Sequence, residues 1–305
     1  MRVRIAFIAV AVLTVSMVIA DDNLDESKAI EKIELLGGKV TRDETLPSRP
    51  VVGISFEGNK RLNDKYVHLV KEFKNLTTLD LRLTKITDTG LMELRELKNL
   101  TTLDLNETQT SDLGLKEVSE LTSLTTLWLR NTKITDTGLN ELSGLKNLTT
   151  LGLSHTLITN AGLKTLSGLK NLTTLRISST RITDEGLKEL HELKNLTTLS
   201  LNVTQITDVG IRELANFENL TSLELVMTKT TDVGMKELRG LHKLTTISLM
   251  GTLITDAGLR ELTELKNLTT LDLRATMITD AGVKEFNEAL PNVQIVRSDK
   301  IRMPK

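Results

Sequence analysis

Residues Leu265–Glu288 read LKNLTTLDLRATMITDAGVKEFNE. Nearly the same words stand at Leu97, LKNLTTLDLNETQTSDLGLKEVSE, and return at Leu145, Leu169 and Leu193. From Phe73 to Glu288 the period is 24, with units starting at residues 73, 97, 121, 145, 169, 193, 217, 241 and 265. A fixed period of this length marks a stacked-repeat architecture rather than a conventional globular core. The composition agrees. The chain has 305 residues and only 2% are aromatic, so the interior has to be built from aliphatic side chains in many thin, similar layers.

One unit shows the physics. Leu76, Leu79 and Leu81 alternate with Thr78, Asp80 and Arg82, the period-two pattern of a short strand with one buried face. Thr84 and Ile86 follow in a turn. Then TDTGLMEL reads as a helix start, with Thr87 or Asp88 able to cap it. Leu91, Leu94 and Leu97 turn inward, while Met92, Glu93, Arg95 and Glu96 face solvent. Such a unit cannot bury its apolar edge alone, but stacking does so, with strands about 4.8 Å apart.

The pattern LxxLxLxxT followed by ITDxGLxxL resembles the leucine-rich-repeat family, over residues 51–297. Its second half is similar to the cysteine-containing subclass, with Thr in place of Cys, and the whole to short exported bacterial repeat proteins ending in ALPN plus a strand. The resemblance implies an α/β fold: a right-handed solenoid with a curved parallel sheet inside and helices outside. It also implies that Thr84, Thr108, Thr132, Thr156, Thr180, Thr204, Thr228, Thr252 and Thr276 point inward and satisfy backbone groups, a neighbouring coil supplying the partner. Residues 21–50 are too short for an F-box, so an adaptor role in ubiquitin ligation is not implied.

The flanks differ from the repeats. Residues 1–20, MRVRIAFIAVAVLTVSMVIA, carry Arg2 and Arg4, an apolar run and a small residue at Ala20, the pattern of a secretory signal. Cleavage after Ala20 and export to the periplasm or outside a bacterial cell are expected; an uncleaved anchor is the alternative. Residues 21–50 read as a cap: a helix with Ala29, Ile30, Ile33 and Leu36 on one face, stopped by Gly37 and Gly38, then a proline-marked connection. Residues 51–72 form a degenerate first unit, matching if one residue is inserted, with Tyr66 where later units have glycine. Residues 289–305 read as a closing strand and tail.

Charge and chemistry narrow the function. The balance of 39 basic against 40 acidic residues argues against nucleic acid, which calls for a basic face, and there is no cysteine for disulfides, thiolate zinc sites or thiol catalysis. The four histidines, His68, His155, His191 and His242, sit at unrelated repeat positions, and no triad or phosphate loop is present. No cofactor and no enzymatic activity are expected. The aspartate column, Asp88 to Asp280 with Asn160 breaking it, reads as helix capping ahead of calcium binding. The NLT asparagines read as turn residues using left-handed backbone, ahead of glycosylation sites. Glycines from Gly90 to Gly282 are architectural.

What remains after subtracting the shared pattern is the inner face. It presents Asp80, Arg82, Asp104, Glu107, Trp128, Arg130, His155 and Arg176 in the early units, and an apolar strip with Val203, Val226, Met227 and Met250 in the later ones. Trp128 is the only tryptophan, and Trp and Arg most often anchor interfaces. Gly152, Ser154, Ser178 and Ser179 beside it are expected to leave a recess. The expectation is a monomeric, non-catalytic scaffold that binds a protein through this concave face. The alternative is a structural or carbohydrate-contacting envelope protein held by its threonine-rich face.

Overall fold

The computed structural model describes residues 26–297, so the signal pattern at 1–20 lies outside the described residues. A 12-stranded sheet runs in strict chain order. Its first strand, β1 (Lys39–Arg42), is antiparallel to β2 (Val51–Ser55); every later pair is parallel and in register. The stretch expected to be a plain connection is therefore a hairpin that covers the first edge of the sheet. Strands β3 (Thr78–Asp80) to β11 (Thr270–Asp272) recur every 24 residues, and β12 (Gln294–Val296) closes the far edge. Ile54 pairs with Leu79, 25 residues on, whereas Leu79 pairs with Leu103, 24 on, so the first unit does carry the extra residue.

Each coil buries the same set. Leu76, Leu79, Leu81, Ile86, Leu91 and Leu94 and their apolar equivalents, half-buried Val283 of the last coil excepted, are at most a few per cent exposed and join in one continuous core. The opposite side of each coil is a short helix, such as Asp136–Glu141, followed in several coils by a 3-10 turn. At the amino end, helical residues 26–35 close the stack with Ala29 and Ile33. Gly37 ends that helix at φ 89°, and the Gly38 N–H returns to Ile33 O at 2.8 Å.

The threonine ladder is buried, with one correction. Each hydroxyl donates to the carbonyl three residues back in its own coil, Thr84 to Leu81 O and Thr156 to Leu153 O, both at 2.6 Å. The neighbouring coil plays no part, because the chain bends so sharply there that its own carbonyl is nearest. Replacing Thr156 by Leu is expected to cost about 1–3 kcal/mol through overpacking and an unpaired carbonyl. Thr156→Asn should be tolerated; denaturant midpoints of the two variants check this.

Two further columns hold coils together in ways the local sequence did not reveal. Thr or Ser, not Asp, caps most of the repeat helices: the Thr135 hydroxyl accepts from Thr137 N–H at 3.2 Å. The aspartate reaches the next coil instead. Asp112 accepts from Thr135 N–H at 2.8 Å and from its hydroxyl at 2.6 Å, and the same pair recurs from Asp64 to Asp256. Asn160 keeps the link by accepting from Thr183 N–H while its amide donates to the Thr183 hydroxyl, which then makes no cap bond. The carboxylates are thus committed to inter-coil bonds.

The asparagines are staples too. Asn99, Asn147, Asn171, Asn195, Asn219 and Asn267 donate to carbonyls 25 residues back, and none has positive φ. Left-handed backbone sits elsewhere, at Leu83, Glu107, Asn131, His155, Ser179, Val203, Met227 and Ala275, with Gly251 in the same column. The threonine face is also partly consumed: the hydroxyls of Thr77, Thr101, Thr125 and their equivalents donate to the preceding coil's carbonyl. On the helix side, Glu93 is not merely solvated but pairs with Lys71 of the preceding coil.

Candidate functional site

The outward positions of the strands converge on one recess of about 650 Å³. Arg82, Asp104, Trp128, Arg130, His155 and Arg176 line it, so six of the ten residues singled out from the sequence meet in one place. Asp80 joins through Arg82, which reaches Asp80 at 3.2 Å and Glu57 at 2.7 Å. Glu107 stands exposed at the positive-φ edge, outside the lining. Met227 and Met250 also lie outside it, whereas Val203 is among its lining residues; Met227 and Val203 are exposed, and Val226 and Met250 half-buried, so the apolar strip is real and adjoins the recess through Val203.

Trp128 does not project freely. Its ring lies over Gly152 of the next coil, so closely that a Cβ there would meet Cζ3 at 2.7 Å and Cε3 nearer still. The Arg176 guanidinium sits over the same ring, 5.5 Å from its centroid. Gly152 is therefore the seat of the indole and not open space. The recess opens instead along Ser154, Ser178, Ser179 and Ser200.

Residues that the sequence left as scattered polar positions form its far wall. Ser178 and Ser200 hydroxyls are 2.6 Å apart, Ser200 donates to Glu224 at 2.7 Å, and the Asn202 amide donates to the same carboxylate at 2.7 Å. Their shared repeat columns were visible; that side chains one coil apart would hydrogen-bond was not. His155 is exposed on strained backbone at φ 59°.

Asp104 is the perturbed acid of the face. Burial is the main cause, opposed by the Asn106 N–H at 2.9 Å, and the neighbouring Asp80 adds to it, so its pKa is pushed up to about 6. The folded state then holds a proton that the unfolded chain has already released, and stability falls as pH rises from about 4 to 6. Asp104→Asn is expected to remove this slope and to match or exceed wild-type stability at pH 7. Urea midpoints across pH 4–8 measure it, and an unchanged slope would refute the assignment.

The repeating strand, turn and short helix, with its inward leucines, has its match among known families. The family described as "Leucine Rich repeat" matches residues 74–94, 120–143 and 264–286, and "Leucine Rich repeats (2 copies)" matches 170–216. The chain is a leucine-rich-repeat protein. Among solved structures, an internalin from Listeria monocytogenes is similar at TM-score 0.56 and 20% identity, covering 90% of this chain and 95% of that one. Internalin C2 from the same organism is 29% identical at TM-score 0.54, over 69% of this chain and 84% of that one. A TDR receptor gives 0.53 and 16%, over 75% of this chain and 40% of that one. No curated protein matches. These likenesses establish the leucine-rich-repeat fold. Among the described residues, no helix is long and apolar enough to cross a membrane.

Proposed function

We propose that this leucine-rich-repeat protein is a non-catalytic binding scaffold that takes a protein partner on its strand face, in the recess around Trp128. One observation carries the reading: the indole packs against Gly152 and within reach of the Arg176 guanidinium, so a large amphipathic side chain is already ordered in a recess lined mostly by polar residues. A rigid aromatic loses little entropy on binding, which is why such residues dominate interfaces. Arg130 and His155 extend the contact surface, with Asp80, Asp104 and Glu107 as its acidic rim. Met227 and Met250 would meet the partner's apolar margin.

The reading includes export to a bacterial envelope or beyond, from the signal pattern at 1–20. Intact mass of protein recovered from the native host should begin at Asp21; mature material beginning at Met1 would refute cleavage. Partner binding is tested by capture from the host's envelope fraction, followed by titration of the purified partner against strand-face and outer-helix variants. Binding abolished by Glu189→Ala on a helix but retained by strand-face variants would place the surface on the other side and overturn the proposal.

A further inference from the structure

The residue two places beyond each strand's outward position carries a backbone N–H that the sheet does not use. In seven coils a strand-face side chain closes it, beginning with Ser55 Oγ, which accepts from Glu57 N–H at 3.3 Å. Asp80, Asp104 and Asp272 accept from Arg82, Asn106 and Arg274 at 3.1, 2.9 and 3.1 Å. Asn106, Ser178 and Asn202 accept from the next coil's Arg130, Asn202 and Val226 at 2.6, 3.1 and 2.8 Å. The acceptor always stands either two residues earlier or one coil back in the same column. This fixes where the N–H points: onto the strand face.

At Ser154 those two positions hold Gly152 and Arg130, and at Ser178 they hold Arg176 and Ser154. Glycine has no side chain, a guanidinium only donates, and among the described residues the Ser154 hydroxyl, unlike that of Ser178 toward Asn202, makes no bond to the next coil's N–H. Among the described residues, neither the Ser154 nor the Ser178 N–H has an acceptor. These are adjacent coils, and both residues line the recess with Arg130 and Arg176. Among the described residues, neither arginine has an ion-pair partner, whereas Arg82 and Arg274 have theirs. Met250 also lacks an acceptor, but its neighbours are Ser248 and Val226 and no cation accompanies it.

We infer that the Ser154 and Ser178 N–H groups, with the Arg130 and Arg176 guanidiniums, form a subsite for a carboxylate, an acidic side chain of the protein partner. Two fixed backbone donors and two cations make charge-assisted bonds to an oxyanion. Asp104 and Glu224 line the same recess, which favours a singly charged carboxylate over a phosphate. The assignment rests on the scaffold reading above and names the chemistry of its central contact.

The test follows the Ser154 and Ser178 amide resonances of the full repeat domain during titration with N-acetylglutamate N-methylamide. Its glutamine analogue and inorganic phosphate serve as controls. Saturable downfield movement with the glutamate probe alone is expected. Arg130→Gln/Arg176→Gln, changed at two exposed side chains, should weaken it by at least about tenfold. Ser154→Asn changes no charge but places an acceptor where Asn106 and Asn202 have theirs, closing the Ser178 N–H, and should weaken it by about fivefold. Amides that stay still, that respond equally to the glutamine analogue, or that ignore both variants would overturn the site. Tighter saturation by phosphate would overturn the carboxylate assignment. A partner that binds the strand face without moving these amides would sink the subsite and leave the scaffold; carboxylate binding with no strand-face partner would do the reverse.

Discussion

Gly138→Ala lowers the stability of the solenoid by about 2–4 kcal/mol, as one methyl group in a helix opening. A Cβ at Gly138 would meet Cγ of Asp112 at 2.9 Å and its Cα at 3.1 Å, with Oδ1 nearer still. The aspartate cannot swing away without giving up both bonds to Thr135, at 2.8 and 2.6 Å. Elsewhere alanine would raise helix propensity, so the sign itself is diagnostic. In an Asp112→Ala background the obstruction is reduced and the two bonds are already gone. Gly138→Ala should then cost about 1 kcal/mol or less, giving strong coupling in a double-mutant cycle. Denaturant unfolding of the four proteins measures it; additive effects would mean that Asp112 and Gly138 do not share the contact. Tyr66 takes the glycine position of the first unit, where no earlier coil sends an aspartate across, and packs half-buried against the core.

Trp128→Ala weakens binding of a strand-face partner by about 2 kcal/mol or more, roughly 30-fold in Kd. Stability should fall as well, by about 1 kcal/mol, because the indole covers Gly152 and carries Arg176. An outward strand position alone would have suggested no effect on folding. Gly152→Ala supplies a control that keeps the tryptophan: the new methyl displaces the ring from its seat. Binding should then drop about as far as in Trp128→Ala. Glu189→Ala on the outer helix should change neither quantity. Calorimetric titration of the partner against these variants decides, and a Gly152→Ala protein with wild-type affinity would show that ring orientation does not matter. Raising salt should slow association through Arg130 and Arg176 more than it hastens release.

Much of this protein was legible in its sequence because its order is periodic. The 24-residue repeat, the alternation at Leu76, Leu79 and Leu81, and the three-residue spacing at Leu91, Leu94 and Leu97 specified strand, turn, helix and their stacking order. Burial follows residue type, and each apolar column has one direction to face. The outward columns could also be read, which is why Trp128, Arg130 and Arg176 were candidates before any coordinates. What required tertiary structure was everything polar between coils. Asp112 looks like a helix cap in one dimension and is a bridge in three; Asn99 looks like a turn residue and is a staple; the real left-handed positions, from Leu83 to Ala275, have no shared residue type to betray them. The recess belongs to the same class. Ser178, Ser200, Asn202 and Glu224 are 22 or 24 residues apart and become one network only at the spacing of stacked strands. Hydrophobic burial is non-directional and additive, so pattern alone determines it, whereas hydrogen bonds need a partner at a given distance and angle, and only the stacked fold decides which residues provide one.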